Sequence, residues 1–266
     1  MRTAVANHLN RAMRFLATRP NAPRLASLLR NQCNLLIAYS FACTPDLGAN
    51  GEGWLLDRVA PHVLRFIDVG ANRGEWSAAV FDRAPSAQGI AIDAGNAAVE
   101  RLRARSLPRL EIIHAAVSDA GGQAIFYEQP DAGELSSLSD AHAAGARPEF
   151  VEVITLDDVI DDSGWDTVDL LKIDAEGWDY RCLLGAQRAI AAQKIALIQF
   201  EYSAPWLDAG STLKAAITYL KLHGYEVRAL RATSVVAYDY ARLGEFFQYA
   251  NFVAFVSESA GWLTTD

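Results

Sequence analysis

An acidic residue and two glycines give residues 66–77, FIDVGANRGEWS, a clear chemical meaning. Asp68 stands two positions before Gly70, and Gly74 follows four positions later with Asn72 between the glycines. In a dinucleotide fingerprint, G-x-G-x-x-G, bare backbone at a helix N-terminus receives a pyrophosphate. A carboxylate at position 68 would oppose that pyrophosphate, and it would suit a ligand that carries a positive charge. The helix N-terminus would favour an anionic group nearby, so the loop predicts a zwitterionic ligand.

Other polar residues stand where one such ligand, S-adenosylmethionine, would need them. Asp93 ends the second predicted strand, where it could accept hydrogen bonds from both ribose hydroxyls or instead cap the next helix. Ser118 and Asp119 end the third strand beside the expected adenine, although Asp119 could also begin a turn. We therefore predict S-adenosylmethionine as the cofactor, bound by Asp68, Gly70, Asn72, Gly74, Asp93, Ser118 and Asp119.

Three acidic residues, Asp174, Glu176 and Glu201, follow the fourth and fifth predicted strands. Open α/β sheets bind ligands at the carboxyl ends of their parallel strands, so these acids are candidates for a reaction site. Asp174 is the strongest candidate, but it shares a strand face with Lys172 and could simply neutralise that residue. Three carboxylates could also hold a divalent cation. Spacing alone does not favour that alternative, and we predict no metal.

The positions of these residues depend on strands and helices that alternate along the chain. Short apolar runs, typical of buried parallel strands, cover residues 66–69, 88–92, 110–117, 168–173 and 195–200. Helical stretches cover residues 75–83, 97–106, 180–192 and 211–223, and two more strands cover 225–230 and 251–256. This order predicts an α/β fold with a doubly wound, mostly parallel seven-stranded sheet, and residues 120–160 form a β insertion.

Charge divides the 266 residues into a basic arm and an acidic remainder. Residues 1–45 hold six arginines and no acid, which leaves 18 basic against 32 acidic residues elsewhere, a net charge of −14. The acidic part argues against nucleic acid as a partner, because phosphates would be repelled. The arm could lie on an anionic membrane surface, act as a targeting peptide, or pack on the body or a partner subunit. We favour packing, and we predict a helical extension at residues 1–62 before a domain at residues 63–266.

Cysteine content and hydropathy bear on the compartment. Cys33, Cys43 and Cys182 are too few and too far apart for a disulfide framework, which favours a reducing compartment. The apolar run at residues 35–43 is much too short to span a bilayer. We expect a cytoplasmic protein, with peripheral contact to a membrane and homo-oligomerisation as open alternatives.

The order of these motifs resembles the FkbM family of S-adenosylmethionine-dependent methyltransferases, from about Phe66 to Phe255. The resemblance rests on FIDVGANRGEWS, AVSDAGGQAIFY (116–127), Ser136-Ser137-Leu138, ITLDDVI (154–160) and, most specifically, DLLKIDAEGWDY (169–180). The chain departs from the family at the end of the second strand, where Asp93-Ala94-Gly95 replaces a Glu that is closely followed by Pro. The first 60 residues carry no part of the resemblance.

The resemblance implies a class I methyltransferase (Rossmann-like) fold and transfer of the cofactor's methyl group. The typical acceptor would be a hydroxyl of a sugar, a surface glycan or a secondary metabolite. A hydroxyl is a poor nucleophile until a base takes its proton, so Asp174, Glu176 and Glu201 become the candidates for catalysis. Serine hydroxyls and aromatic faces suit a sugar, and the candidates for substrate contacts are Ser136, Ser137, Trp178 and Tyr202.

Two other classes of protein stay open on sequence grounds. A dinucleotide-dependent oxidoreductase conflicts with Asp68 and with the missing third glycine. A non-catalytic scaffold would bind the cofactor without turnover, which a methylation assay would reveal. A nucleic-acid methyltransferase fits less well, since the body is acidic and no Asn/Asp-Pro-Pro-aromatic motif is present.

Overall fold

The computed structural model describes residues 2–44, 46–129, 138, 145–257 and 263, with side chains from residue 10 onward. The helices are α1 (Arg2–Ala17), α2 (Ala22–Ser40), α3 (Glu52–Val59), α4 (Glu75–Arg83), α5 (Asn96–Ala104), α6 (Leu156–Ser163), α7 (Asp179–Leu184), α8 (Gln187–Ala191), α9 (Leu213–Leu222) and α10 (Tyr240–Leu243). The strands are β1 (Arg65–Val69), β2 (Gln88–Asp93), β3 (Leu110–His114), β4 (Ala116–Val117), β5 (Gly122–Glu128), β6 (Arg147–Ile154), β7 (Val168–Ile173), β8 (Ile195–Tyr202), β9 (Glu226–Arg231), β10 (Ser234–Ala237) and β11 (Ala250–Phe255).

The main sheet has the strand order β10-β9-β11-β8-β7-β1-β2-β3. Strands β3, β2, β1, β7 and β8 are parallel, whereas β11 runs antiparallel to both of its neighbours, β8 and β9. The chain crosses from the β3 edge back to β7, so the order reverses between β1 and β7. Ligands bind at such a reversal in open α/β sheets. The predicted α/β class and doubly wound parallel sheet are confirmed.

The sheet has one strand more than the seven predicted. Strand β10 pairs antiparallel with β9 after a two-residue turn, Ala232-Thr233. Its apolar run is only Val235-Val236, which is too short for a periodicity signal to separate from the neighbouring strand.

Tertiary contacts also divide two predicted elements. The predicted strand 110–117 breaks at Ala115, because β3 pairs with β2 whereas β4 pairs with β6 in a separate sheet of order β4-β6-β5. The predicted helix 180–192 breaks between α7 and α8 near Gly185. A Cβ added to Gly185 would lie 2.2 Å from the carbonyl oxygen of Ser118, so the chain approaches β4 closely there.

One polar row crosses an otherwise apolar face of the sheet. On that face Phe66, Leu170 and Leu197 pack in the core that α3 and α4 cover. Two positions further along each strand, Asp68 lies opposite Lys172, and Lys172 lies opposite Gln199. Side chains alternate across a strand, so this row and the acids that follow it point to the same face.

The N-terminal part divides into an exposed arm and a helix that packs. Helix α3 contributes Leu55, Leu56 and Val59 to a core of the sheet, although it precedes the predicted boundary at residues 62 and 63. That boundary stays a prediction. Helices α1 and α2 are exposed over most of residues 10–36, and the described arm enters the core only near the end of α2, through Ala38 and Phe41. The predicted packing of the arm on the body is therefore limited to that end. Among the described helices, none is sufficiently long and apolar to cross a membrane.

Candidate active site

A cleft of about 1130 Å³ opens where the order of the strands reverses. The loop after β1, the end of β2 and the loop after β7 form its walls. A further wall comes from the chain that precedes α3, including Cys43, Thr44 and Leu47. The site is thus built from the predicted loops together with part of the N-terminal extension.

The glycines of the first loop allow it to lie directly against the end of β7. Gly70, Asn72 and Gly74 have φ values of +72°, +46° and +70°, which lie in the left-handed region. A Cβ on Gly70 would be 1.8 Å from the carbonyl oxygen of Asp174, so no other residue fits there without movement. The loop forms a bare backbone surface on one side of the cleft, which fits the close approach of a cofactor.

Asp93 holds this loop and lines the cleft. Its Oδ2 accepts a hydrogen bond from the backbone N–H of Asn72, and its Oδ1 accepts one from Gly95, both at 2.8 Å. Burial raises the pKa of Asp93, and these two hydrogen bonds oppose the rise. Each carboxylate oxygen can accept a second bond, so the predicted contact with ribose hydroxyls fits this position. The Oδ1 of Asn72 is buried without a hydrogen-bond partner among the described residues.

Asp68 lies beneath the loop, and its side chain is wholly buried. Its Oδ2 accepts a hydrogen bond of 2.6 Å from the Ser77 hydroxyl on α4, and its Oδ1 is 3.9 Å from Lys172 Nζ. Burial raises the pKa of Asp68 to about 6, against the lowering effects of Lys172 and Ser77. Asp68 does not line the cleft, so this placement gives it no direct contact with a ligand ammonium.

Ser118 and Asp119 hold a residue at the rim and do not line the cleft themselves. The Trp178 indole N–H donates to Ser118 Oγ at 2.9 Å, and that hydroxyl donates to Asp119 Oδ1 at 2.9 Å. Asp119 also forms an ion pair of 2.8 Å with Arg181. Near Ser118, the cleft is lined instead by apolar side chains, those of Ala115, Ala116, Val117 and Phe126.

Asp174 is half-buried at the floor of the cleft, where it contacts two buried charged or acidic groups, Lys172 and Glu201. Its Oδ2 lies 2.8 Å from Lys172 Nζ, and its carboxyl group is hydrogen-bonded to that of Glu201. Burial acts to raise the pKa of Asp174, but Lys172 and Glu201 outweigh it and lower the pKa below its usual value. Burial and the charge of Asp174 raise the pKa of Glu201 well above its usual value. Of these two carboxyl groups, Glu201 therefore holds a proton more readily, whereas Asp174 is the anion.

The loop after β7 is braced by Asp179, which sequence reasoning did not assign to the site. Its side-chain oxygens accept hydrogen bonds from the backbone N–H groups of Ala175 and Gly177, both at 3.2 Å. Burial and the neighbouring Asp174 charge raise the pKa of Asp179 to about 7. Glu176 lies in this loop with a φ of +47° and lines the cleft beside Trp178.

The floor contains a second polar group that sequence reasoning also missed. Glu52 at the start of α3 accepts hydrogen bonds from Gln199 on β8 and from Asn50, the latter at 2.7 Å. Tyr249 lines the cleft, and its hydroxyl accepts a hydrogen bond of 3.0 Å from Asn251. Gln199 shares a face with Glu201 in an otherwise apolar strand, and this pattern in the sequence could have predicted that Gln199 belongs to the site. Glu52 is 147 residues away along the chain and offers no such signal.

The remaining predicted residues do not reach the cleft or lie outside the described residues. Tyr202 is fully buried, donating from its hydroxyl to Glu245 Oε2 at 2.8 Å and accepting from the Phe247 N–H at 3.1 Å. This gives Tyr202 a packing position instead of the predicted substrate contact. Ser136 and Ser137 fall outside the described residues. Within the ranges that the structure covers, no group of three or more His, Cys, Asp or Glu side chains could hold a metal ion.

Several solved structures resemble this fold at low sequence identity. A methyltransferase FkbM from Methylobacillus flagellatus is 16% identical to this chain, with a TM-score of 0.46. The match covers 72% of this chain and 43% of the Methylobacillus chain. A precorrin-6y C5,15-methyltransferase from Geobacter metallireducens is 12% identical with a TM-score of 0.43, covering 81% and 94%. The N-terminal domain of EvdMO1 with SAH bound is 11% identical with a TM-score of 0.43, covering 80% and 81%. Among curated proteins none matches this chain.

The family comparison covers more than half of the chain. Residues 68–227 match the methyltransferase FkbM domain, and this range holds both the glycine loop and the acidic loop after β7. The sheet order and the family match together give a class I methyltransferase fold with S-adenosylmethionine as the cofactor. The chain therefore belongs to the FkbM family of S-adenosylmethionine-dependent methyltransferases.

Proposed function

We propose that this methyltransferase acts on a hydroxyl oxygen of a neutral, polyhydroxylated acceptor such as a sugar, a surface glycan or a secondary metabolite. One observation carries the proposal. The anionic Asp174 lies at the cleft, with its backbone against Gly70 of the cofactor loop and its carboxylate 30% exposed. A carboxylate beside the cofactor is where an acceptor hydroxyl needs a proton acceptor.

The protonation states of the floor support this role. The bound cofactor supplies an activated methyl group, so the protein must orient the acceptor and handle its proton. Burial acts to lower the pKa of Lys172, but the charges of Asp174, Asp68 and Glu52 raise it well above its usual value. Lys172 therefore stays a cation and keeps Asp174 ionised. An acceptor hydroxyl that donates to Asp174 is held in place, and its proton passes to that carboxylate as the oxygen is methylated.

The charge of the cleft favours a neutral acceptor. Besides Glu201, whose raised pKa favours its neutral form, the acidic side chains of Glu52, Asp174 and Glu176 line it. Carboxylates accept hydrogen bonds from hydroxyl groups. An acceptor with its own carboxylate or phosphate would be repelled by this floor. Trp178, which is fixed at the rim by Ser118, offers an aromatic surface for the C–H face of a sugar ring.

The test compares Asp174→Asn with the wild type. SAH release is measured with a panel of neutral sugars, glycans and their uronic-acid counterparts, and cofactor affinity is measured by calorimetry. We expect the variant to bind the cofactor normally and to lose methyl transfer by about 10²–10⁴-fold. Asp166→Asn is the matched control, because Asp166 is exposed and lies away from the cleft.

Two outcomes would contradict the proposal. Wild-type turnover by Asp174→Asn would reduce Asp174 to an ion-pair partner of Lys172. Preferential methylation of the uronic acids would remove the neutral acceptor class while leaving the catalytic role in place.

We further propose that the reaction takes place in the cytoplasm. The three thiols of Cys33, Cys43 and Cys182 are unpaired, which supports a reducing compartment. Fractionation of cells that express the tagged protein would test this, and recovery from an oxidising compartment would refute it.

A further inference from the structure

The first two helices carry most of the exposed apolar surface. Of the thirteen large apolar side chains that are exposed in the described part of the chain, three lie on α1 and five on α2. The other five are single residues on separate segments of the body, at Leu64, Ile125, Phe150, Leu207 and Leu222. Single exposed apolar residues are normal on a protein surface, but a concentrated group indicates an interaction surface.

The five residues on α2 form one stripe. Leu25, Leu28, Leu29, Leu36 and Tyr39 recur at helical spacing and are 51–72% exposed. Ala38, on another face of the same helix, is fully buried and joins the core of the body. The described body therefore holds the end of α2 and leaves the stripe uncovered.

Charge indicates what could cover the stripe. Arg11, Arg14, Arg19, Arg24 and Arg30 are all exposed, and residues 1–45 contain no acid that could pair with them. A second copy of this arm would bring more positive charge against them. An anionic bilayer offers phosphates for the guanidinium groups and an acyl boundary for the leucines, and arginine stems reach between the two.

We propose that α1 and α2 lie flat on the surface of an anionic lipid bilayer, with the α2 stripe at the boundary between headgroups and acyl chains. Helix α2 has 19 residues, and no described helix is sufficiently long and apolar to span a membrane, so the mode is interfacial. The anchor formed by Ala38 and Phe41 connects this arm to the catalytic body. The cleft wall begins at Cys43, only two residues after Phe41.

The main competing occupant is the body of a second copy. Its net charge of −14 beyond residue 45 could attract the arginines. However, its five exposed apolar side chains are spread over separate segments, so the described body offers no matching patch for the α2 stripe.

The test is flotation of the full-length protein with vesicles of phosphatidylcholine alone and with vesicles that also contain about 30 mol% of the anionic lipid phosphatidylglycerol. We expect binding to the anionic vesicles that weakens at high salt. Arg14→Glu/Arg24→Glu should lower this binding at least about tenfold, because each arginine near an anionic surface contributes about fivefold, and Arg24 flanks the α2 stripe. Leu28→Ser/Leu36→Ser should also lower it, through lost insertion.

Matched controls separate location from composition. Arg103→Glu/Arg242→Glu changes the net charge equally on exposed sites of the body, and Leu64→Ser/Leu222→Ser removes exposed leucines there. Both should bind vesicles like the wild type, and unchanged cofactor affinity would show that all four variants are folded. The proposal would be overturned if the protein bound neutral and anionic vesicles equally, or if the control variants lost as much vesicle binding as the arm variants. A dimer by light scattering that the stripe variants alone dissociate would assign the surface to a second copy instead.

Discussion

Buried charges at the centre of the sheet have unequal roles. Asp68 and Asp174 both approach Lys172, at 3.9 Å and 2.8 Å, but only Asp174 reaches the cleft. The pKa of Asp174 is lowered while that of Asp68 is raised to about 6. The hydrogen bond of Asp174 to Glu201 and its shorter distance to Lys172 explain the difference. One lysine thus stabilises a reactive carboxylate at the surface of the cleft and a structural one below it.

Asp68 should make stability depend on pH. A carboxyl group whose pKa is raised on folding contributes its full stability below its unfolded pKa of about 4, and loses it as the pH rises through about 6. Relative to Asp68→Asn, the wild type should therefore lose on the order of 3 kcal/mol of unfolding free energy between pH 4 and pH 7. Urea unfolding of both proteins across this range measures the difference. If the difference in unfolding free energy between the two proteins does not change with pH, the pKa of Asp68 is not raised by folding.

Among the secondary-structure elements, β1 and β7 are followed by two loops that contact each other. The loop after β1 lies against the loop after β7, and the Asp174 N–H donates to the carbonyl of Val69 at 3.0 Å. Gly70 allows this approach because it has no side chain and takes a positive φ. The contact places the cofactor loop and the candidate catalytic carboxylate side by side, although they are about 100 residues apart in sequence.

Gly70→Ala should separate these two loops. The added Cβ would lie 1.8 Å from the Asp174 carbonyl oxygen at a φ of +72°, so one loop must move. We expect cofactor affinity to fall at least about tenfold and stability to fall by about 1–3 kcal/mol. Gly121→Ala is the control, since its added Cβ meets its nearest neighbour, the Val153 carbonyl oxygen, at 3.4 Å. Calorimetry that gives equal affinities for the two variants would contradict the proposed role of Gly70.

At the scale of the whole molecule, the cleft joins parts of the chain that lie outside the matched family domain. Glu52 precedes residues 68–227 and Tyr249 follows them, and both line the cleft. Glu52 also links α3 to β8 through Gln199, across 147 residues. Because the family domain supplies the cofactor loop, we expect these flanking residues to shape the side of the cleft that meets the acceptor.

Glu52→Ala should destabilise the whole protein. It leaves the buried amide groups of Gln199 and Asn50 without their carboxylate acceptor. Unsatisfied buried groups of this kind cost about 1–3 kcal/mol of unfolding free energy, measured by urea denaturation. Glu100→Ala, at an exposed position on α5, should stay within about 0.5 kcal/mol of the wild type. Equal stability of the two variants would mean that the Glu52 network contributes little.

The sequence by itself determined the order of the elements, the parallel sheet, the glycine loop and the acids that follow β7 and β8. Helix α4 has the predicted bounds, and β1, β2 and β7 agree within one residue. These features depend on apolar periodicity and on motifs of about ten residues, because both reflect the local conformational preferences of the chain. The resemblance to the FkbM family rests on the same short motifs, and the family match bears it out.

Only the tertiary structure decided which polar residues face the cleft. Asp68, Ser118, Asp119 and Tyr202 stand at strand ends as predicted, yet their side chains bond to other parts of the protein. Glu52 reaches the cleft from outside every predicted motif. The reason is that a strand end fixes the position of the backbone. The direction and partners of a side chain depend instead on segments that are distant in the sequence and pack against it.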